Sequence, residues 1–212
     1  MEMNNNVDIP EHALTQHYDI LRELGDCFVS VADYQQAQEH YDKAASLAPD
    51  EPLPYIGLGV VAFQQGKLDD AEIAFKVARR LDPKCAKAYG GLAMVAQQRQ
   101  NSQEALELYL KCLELDNDNL TALLGLFQTS CQMGSFAKVT HYLEVYLNIH
   151  SGDTAVMFCL ATLYMKDGKL AQARQMLLDV LVLDPLNKDA ANLLEEVEHS
   201  IKQEQNAEVR TL

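Results

Sequence analysis

Residues 52–85 read PLPYIGLGVVAFQQGKLDDAEIAFKVARRLDPKC, and this stretch decides the fold. It holds two apolar sets with helical spacing. The first is Tyr55, Leu58, Gly59 and Ala62; the second is Leu68, Ala71, Phe75, Ala78 and Leu81. Gly66 divides them, where a helix C-terminus needs a positive φ. Pro83 follows the second set and stops it. No alternating apolar–polar run competes, so the stretch predicts two helices and no strand.

Moving outward, the pattern repeats. Leu24, Leu58, Leu92, Leu126 and Leu160 stand 34 residues apart. Ala37, Ala71, Ala105 and Ala173 keep the same step, with Val139 in the missing place. Gly134 and Gly168 are counterparts of Gly66; Leu47 to Pro49 and Leu183 to Pro185 are counterparts of Leu81 to Pro83. A fixed period of this kind marks an array of helix pairs, each burying its apolar face against its neighbours. Framed on Tyr18, the units are 18–51, 52–85, 86–119, 120–153 and 154–187. Small residues at Gly25, Gly59, Ala93 and Ala161, and at the alanines above, let paired helices approach closely. Tyr41, Phe75 and Tyr109 then fill the gap to the next unit.

With these residues in view, the chain resembles the tetratricopeptide repeat family. Tyr55, Leu58-Gly59, Ala71, Phe75, Ala78 and Pro83 follow its pattern; Ala62 departs from it at a place that is usually aromatic. The resemblance covers residues 18–187 and implies an all-α, right-handed superhelical solenoid of antiparallel helix pairs. The basic, 35-residue pentatricopeptide repeats that bind RNA are a poorer match in length and charge.

Two flanks remain. Residues 1–17 form a leader. Asp8 and Glu11 resemble a capping box, with Pro10 near the first turn, so one lengthened first helix is expected over 9–31. Residues 188–205 carry the stripe Leu194, Val197, Ile201, with Glu195, Glu196, Glu198 and Lys202 facing away: a capping helix with a polar outside. Residues 206–212 are expected to be a flexible tail.

Net charge is −14, spread over repeats and flanks alike. This opposes binding to phosphate backbones and gives no attraction to anionic membranes. The N-terminus has no basic start and no apolar run, so a secretory signal is not expected. No apolar run is long enough to span a bilayer. The five cysteines, Cys27, Cys85, Cys112, Cys131 and Cys159, fall at five different places in the repeat and read as reduced thiols packed as small apolar groups. A cytoplasmic protein is the expectation.

Chemistry-bearing motifs are absent or misplaced. Gly57-Leu58-Gly59-Val60-Val61-Ala62 matches a dinucleotide fingerprint by letters, but its residues occupy regular repeat places inside a helix. No histidine pair sits three or four apart, and no C-x-x-C accompanies them. Asn119-Leu120-Thr121 spells a glycosylation sequon without meaning in a cytosolic chain. Neither cofactor nor metal nor catalytic activity is expected.

The family's first helices line a concave groove. Carried over to this chain, the groove residues are Arg22, Leu53, Ile56, Val60, Phe63, Lys87, Met94, Leu124, Phe158, Met165 and Lys166. One family mode clamps a chaperone's C-terminal carboxylate with two lysines, an arginine and two asparagines. Arg22 and Lys87 stand at basic places of that clamp, but Asp26, Gly57 and Gly91 replace the rest. A carboxylate at Asp26 repels the ligand, so the clamp is not expected. The helix from Pro52 is apolar on both faces and should be covered by a partner segment, a second copy or the leader. Tight packing by neighbouring helices would also account for it.

The reading is therefore a non-catalytic adaptor or chaperone holding an apolar or amphipathic protein segment. The alternative is a structural scaffold that self-associates into a homo-oligomer. The fourth unit differs: Phe127, Val139 and Tyr146 fill places that are mostly small elsewhere. Its two helices should lie farther apart or cross differently.

Overall fold

The computed structural model describes the backbone of residues 11–134 and 136–210, and the side chains of residues 16–205 other than Ser135 and Ala137. Eleven helices and no strand are found among the described residues. The chain divides after Leu115 into two compact units. The expected capping box at Asp8 lies outside the described residues.

The first unit contains α1 (Glu11–Ser30), α2 (Tyr34–Leu47), α3 (Pro52–Gln64), α4 (Leu68–Leu81), α5 (Ala86–Gln98) and α6 (Ser102–Leu115). Each consecutive pair packs as a hairpin, and each pair stacks on the next. The contact that sets the spacing is an aromatic ring held between two glycines. A β-carbon on Gly25 or Gly57 would stand less than 3 Å from the Tyr41 ring, and one on Gly59 or Gly91 equally close to Phe75. The first glycine of each couple belongs to the ring's own helix pair, the second to the next pair. One ring thus fixes two interfaces at once. Tyr55 and Tyr89 repeat a second link: each phenol donates at 3.1 Å to the carbonyl of the preceding pair's proline, Pro49 and Pro83.

Sharp turns between paired helices all use the left-handed region. Gly66, Gly134 and Gly168 adopt φ of +75°, +68° and +73°. Ala32 and Gln100 stand at the equivalent places and adopt +59° and +62° without glycine's freedom. The helix starts are capped unevenly. Asp33 accepts from Gln36 N–H at 3.2 Å, while α3 begins with Pro52 and has no side-chain cap.

The register leucines follow their position in the array. Leu92 and Leu126 are buried, and Leu58 is half-buried beside Ala37 and Tyr41 of the preceding pair. Leu24, on the first described helix, is 39% exposed.

The second unit contains α7 (Leu120–Met133), α8 (Ala137–Ile149), α9 (Thr154–Lys166), α10 (Leu170–Leu183) and α11 (Lys188–Arg210). α9 and α10 pack closely, whereas α7 and α8 run near each other along much less of their length. Val139 and Leu143 are fully buried and Tyr146 nearly so, with Phe127 half-buried. The looser approach of this pair accords with the bulky residues that the fourth unit's sequence puts at places that are mostly small elsewhere. Thr129 donates to the Gly125 carbonyl at 2.8 Å, satisfying one of two buried hydroxyls there. The loops at the ends of the pair are tied by His150 Nε2 and Asp118, 2.5 Å apart.

α11 places Ala190 and Val197 fully inside and leaves Glu195 and Glu196 exposed. Two details differ from the sequence reading. Glu198 is half-buried and accepts from Arg174 Nε of α10 at 3.2 Å, because it lies one turn beyond Leu194 at the edge of the apolar stripe. The helix also continues to Arg210, where a flexible tail from residue 206 was expected. Gln203, Glu204, Gln205, Ala207 and Glu208 are good helix formers, and no glycine or proline intervenes to stop them.

Candidate functional site

Three first helices of the first unit converge on one cleft of about 170 Å³. α1 supplies Arg22, Asp26 and Val29, one turn apart from each other. α3 supplies Leu53, Ile56, Gly57 and Val60; α5 supplies Lys87, and the Tyr41 ring of α2 reaches in from behind. The floor is apolar because α3 carries hydrophobic residues on both faces. Ile56 and Val60 are half-buried, touching the Phe75 cluster on one side and the cleft on the other.

Three of the four polar side chains that line the cleft, Arg22, Asp26 and Tyr41, are linked in one wall. Tyr41 donates to Asp26 Oδ1 at 2.6 Å, and Arg22 Nη1 donates to the other oxygen at 3.2 Å. Burial, then the bond to Asp26, pushes the Tyr41 phenol well above its ordinary range, so it stays a protonated donor. Arg22 also lies 3.7 Å from Glu23. Its charge is therefore largely answered within the wall. Lys87 stands exposed at the opposite margin.

Of the residues read from sequence, Arg22, Leu53, Ile56, Val60 and Lys87 line this cleft together. Phe63 does not line it: its half-buried ring packs with Leu68 and Leu108 around the Phe75 cluster. Phe63 lies one turn past Val60, at the C-terminal end of α3, where the core cluster takes it up. Met94 is half-buried on α5. In the second unit Leu124, Phe158 and Met165 are half-buried, and Lys166 is exposed, its Nζ 6.0 Å from the Phe136 ring centre. The role of Tyr41 in the cleft was missed. The signal for it was Gly57, whose missing side chain opens the floor onto the ring.

The ionisable groups that line the cleft are Arg22, Asp26, Tyr41 and Lys87. Among the described residues, no group of three or more His, Cys, Asp or Glu gathers as metal ligands do. All five cysteines are free. Burial raises the Cys159 thiol to about 11 and shifts Cys131 the same way, which keeps both as poor nucleophiles. No described helix is long and apolar enough to cross a membrane.

Comparison with known proteins gives the same picture. Models of the tetratricopeptide repeat match residues 16–95 and 86–119. The chain belongs to the tetratricopeptide repeat family. It is 34% identical over 115 residues to a small glutamine-rich tetratricopeptide repeat-containing protein of Mycosarcoma maydis, covering 54% of this chain and 33% of that protein. The chain spans a third or less of the length of such curated relatives. PilF of Pseudomonas aeruginosa has the same fold with a TM-score of 0.75 at 19% identity, over 92% of this chain and 89% of that one. The first repeat domain of Spaghetti (RPAP3), solved with an HSP90 peptide, is 26% identical over 57% of this chain and 95% of its own, with a TM-score of 0.52.

Proposed function

We propose that this protein is a non-catalytic interaction module that holds an apolar or amphipathic segment of another protein along its first helices. The observation that carries this reading is the cleft of α1, α3 and α5, with its apolar floor of Leu53, Ile56 and Val60 and the exposed cation Lys87 on its rim. Membership in a repeat family supports it, as does the peptide held by the Spaghetti domain. The chemistry of the segment differs from a carboxylate terminus. Asp26 faces the cleft, with its two oxygens already taken by Tyr41 and Arg22, and repels a second carboxylate beside it. Apolar side chains enter the floor, and an acidic residue farther along the segment meets Lys87. The second unit carries side chains of the same kind on its own first helices, at Leu124, Phe158, Met165 and Lys166. The half-buried thioethers of Met94 and Met165 adapt to varied shapes.

The test is fluorescence titration with a labelled amphipathic peptide carrying leucine and glutamate on opposite faces. Wild-type protein should bind it at about micromolar affinity, as expected of a small interface. Leu53→Asp and Lys87→Glu should each weaken binding without changing the circular dichroism spectrum. Unchanged affinity in Leu53→Asp would refute the cleft as the binding site.

A further inference from the structure

Repeats allow each residue to be compared with its counterparts in the same chain. Position 182 is valine, whereas its four counterparts are Ser46, Arg80, Glu114 and Asn148. Position 186 is leucine, where Asp50, Lys84, Asp118 and Gly152 stand in the other units. Both substitutions are from polar or small to apolar, they lie four residues apart, and neither side chain is covered. Val182 is 78% exposed and Leu186 is 88% exposed; between them Leu183 is 55% exposed. Leu183 is the repeat's own residue, since its counterparts are also apolar. Val182 and Leu186 extend it into a patch at the end of α10 and the turn to α11. Single exposed apolar residues need no explanation, but contiguous ones at otherwise polar places do.

The charges around the patch select its occupant. Asp179 and Asp189 flank it exposed, and Asp184 lies within it, its oxygens holding the turn through Leu186 N–H and Asn187. Among the described residues, Lys188 is the cation nearest to it in sequence. A second copy of the chain would set acidic rim against acidic rim on a protein of net charge −14. An anionic lipid surface is repelled for the same reason. A cationic amphipathic segment meets both features at once: leucine-type anchors on the apolar patch, and lysine or arginine opposite the aspartates.

We infer that Val182, Leu183 and Leu186 form a second docking surface, outside the groove, for a basic amphipathic segment of a partner protein. It is independent of the proposed groove, which favours an acidic segment.

The test uses two synthetic helical peptides, one of leucine and lysine and one of leucine and glutamate. The variant is Val182→Asn combined with Leu186→Asp, residues that already stand at these places in other units. The leucine–lysine peptide should bind wild-type protein about tenfold or more tightly than the variant, as expected for loss of two apolar anchors. Its amide shift changes should fall on residues 179–189, and Leu53→Asp should leave its affinity unchanged. If the double variant folds poorly, the shift map on wild-type protein decides. Equal binding to both proteins, or shifts confined to the groove, would overturn the proposal. Equal loss for the glutamate peptide would overturn its charge selection. A wild-type dimer in sedimentation that becomes monomeric in the variant would show that a second copy is the occupant.

Discussion

The Tyr41 ring occupies the space that a β-carbon on Gly57 would need. A β-carbon on Gly25 would stand 2.5 Å from the nearest carbon of the same ring. In an open helix, replacing glycine with alanine gains about 1 kcal/mol. Here the new methyl group must displace a buried aromatic ring, which costs roughly 1–3 kcal/mol in an overpacked core. Gly57→Ala should therefore lower the urea midpoint instead of raising it. In a Tyr41→Leu background the same change should cost less, and this non-additivity identifies the contact.

Gln100 sits at a φ of +62°, where a side chain is strained. The left-handed conformation costs about 1–2 kcal/mol for such a residue, and part is returned as glycine's greater freedom when unfolded. Gln100→Gly should stabilise the protein by about 0.5–1 kcal/mol. The reverse change, Gly168→Ala, should destabilise it by about 1 kcal/mol. Thermal melts of both variants check the sign.

Buried phenols make the fold sensitive to alkali. Burial raises Tyr109 to about 12, and burial with a bond to Glu144 raises Tyr164 to about 12, against an ordinary value of 10.0. The folded state thus holds these protons longer than the unfolded chain does. Their stabilising contribution is complete below pH 10 and is lost as pH rises towards 12. Urea midpoints should fall through that window, and Tyr109→Phe should flatten the fall. Phenolate absorbance should show these two tyrosines ionising after the exposed ones.

Within the second unit, protection should be uneven. α7 and α8 carry Phe127, Val139 and Tyr146 and approach each other along less of their length, and the buried Ser130 Oγ has no hydrogen-bond partner among the described residues. α9 and α10 have Ala161 and Ala173 at the equivalent places, both fully buried. Hydrogen exchange should be faster over residues 120–149 than over residues 154–183. Equal protection would mean that the bulky side chains fill the wider gap as well as alanine fills the narrow one.

Much of the molecule was legible in one chain read against itself. The 34-residue step of leucine and alanine gives the helix pairing, and α3, α5, α7 and α9 begin at Pro52, Ala86, Leu120 and Thr154. Local rules suffice there, because proline, turn glycine and apolar spacing act within a few residues. Part of the cleft was legible too: Arg22, Leu53, Ile56, Val60 and Lys87 share an offset stripe on successive first helices.

Contacts across elements were not legible. Phe63 and Val60 lie on one stripe of α3, yet the neighbouring core takes Phe63 and leaves Val60 at the cleft. Ala32 and Gln100 take left-handed turns against their own preference, because the stacked helices on either side impose the turn. Glu198 turns inward to Arg174, and Val182 and Leu186 remain bare. Sequence by itself determined the repeat, its helices and the stripe from which a groove is built, since these follow from periodicity along one strand of chain. Only tertiary structure decided which side chains of that stripe stay open. Burial depends on what the neighbouring helices bring within a few ångströms, and no spacing along the chain encodes that distance.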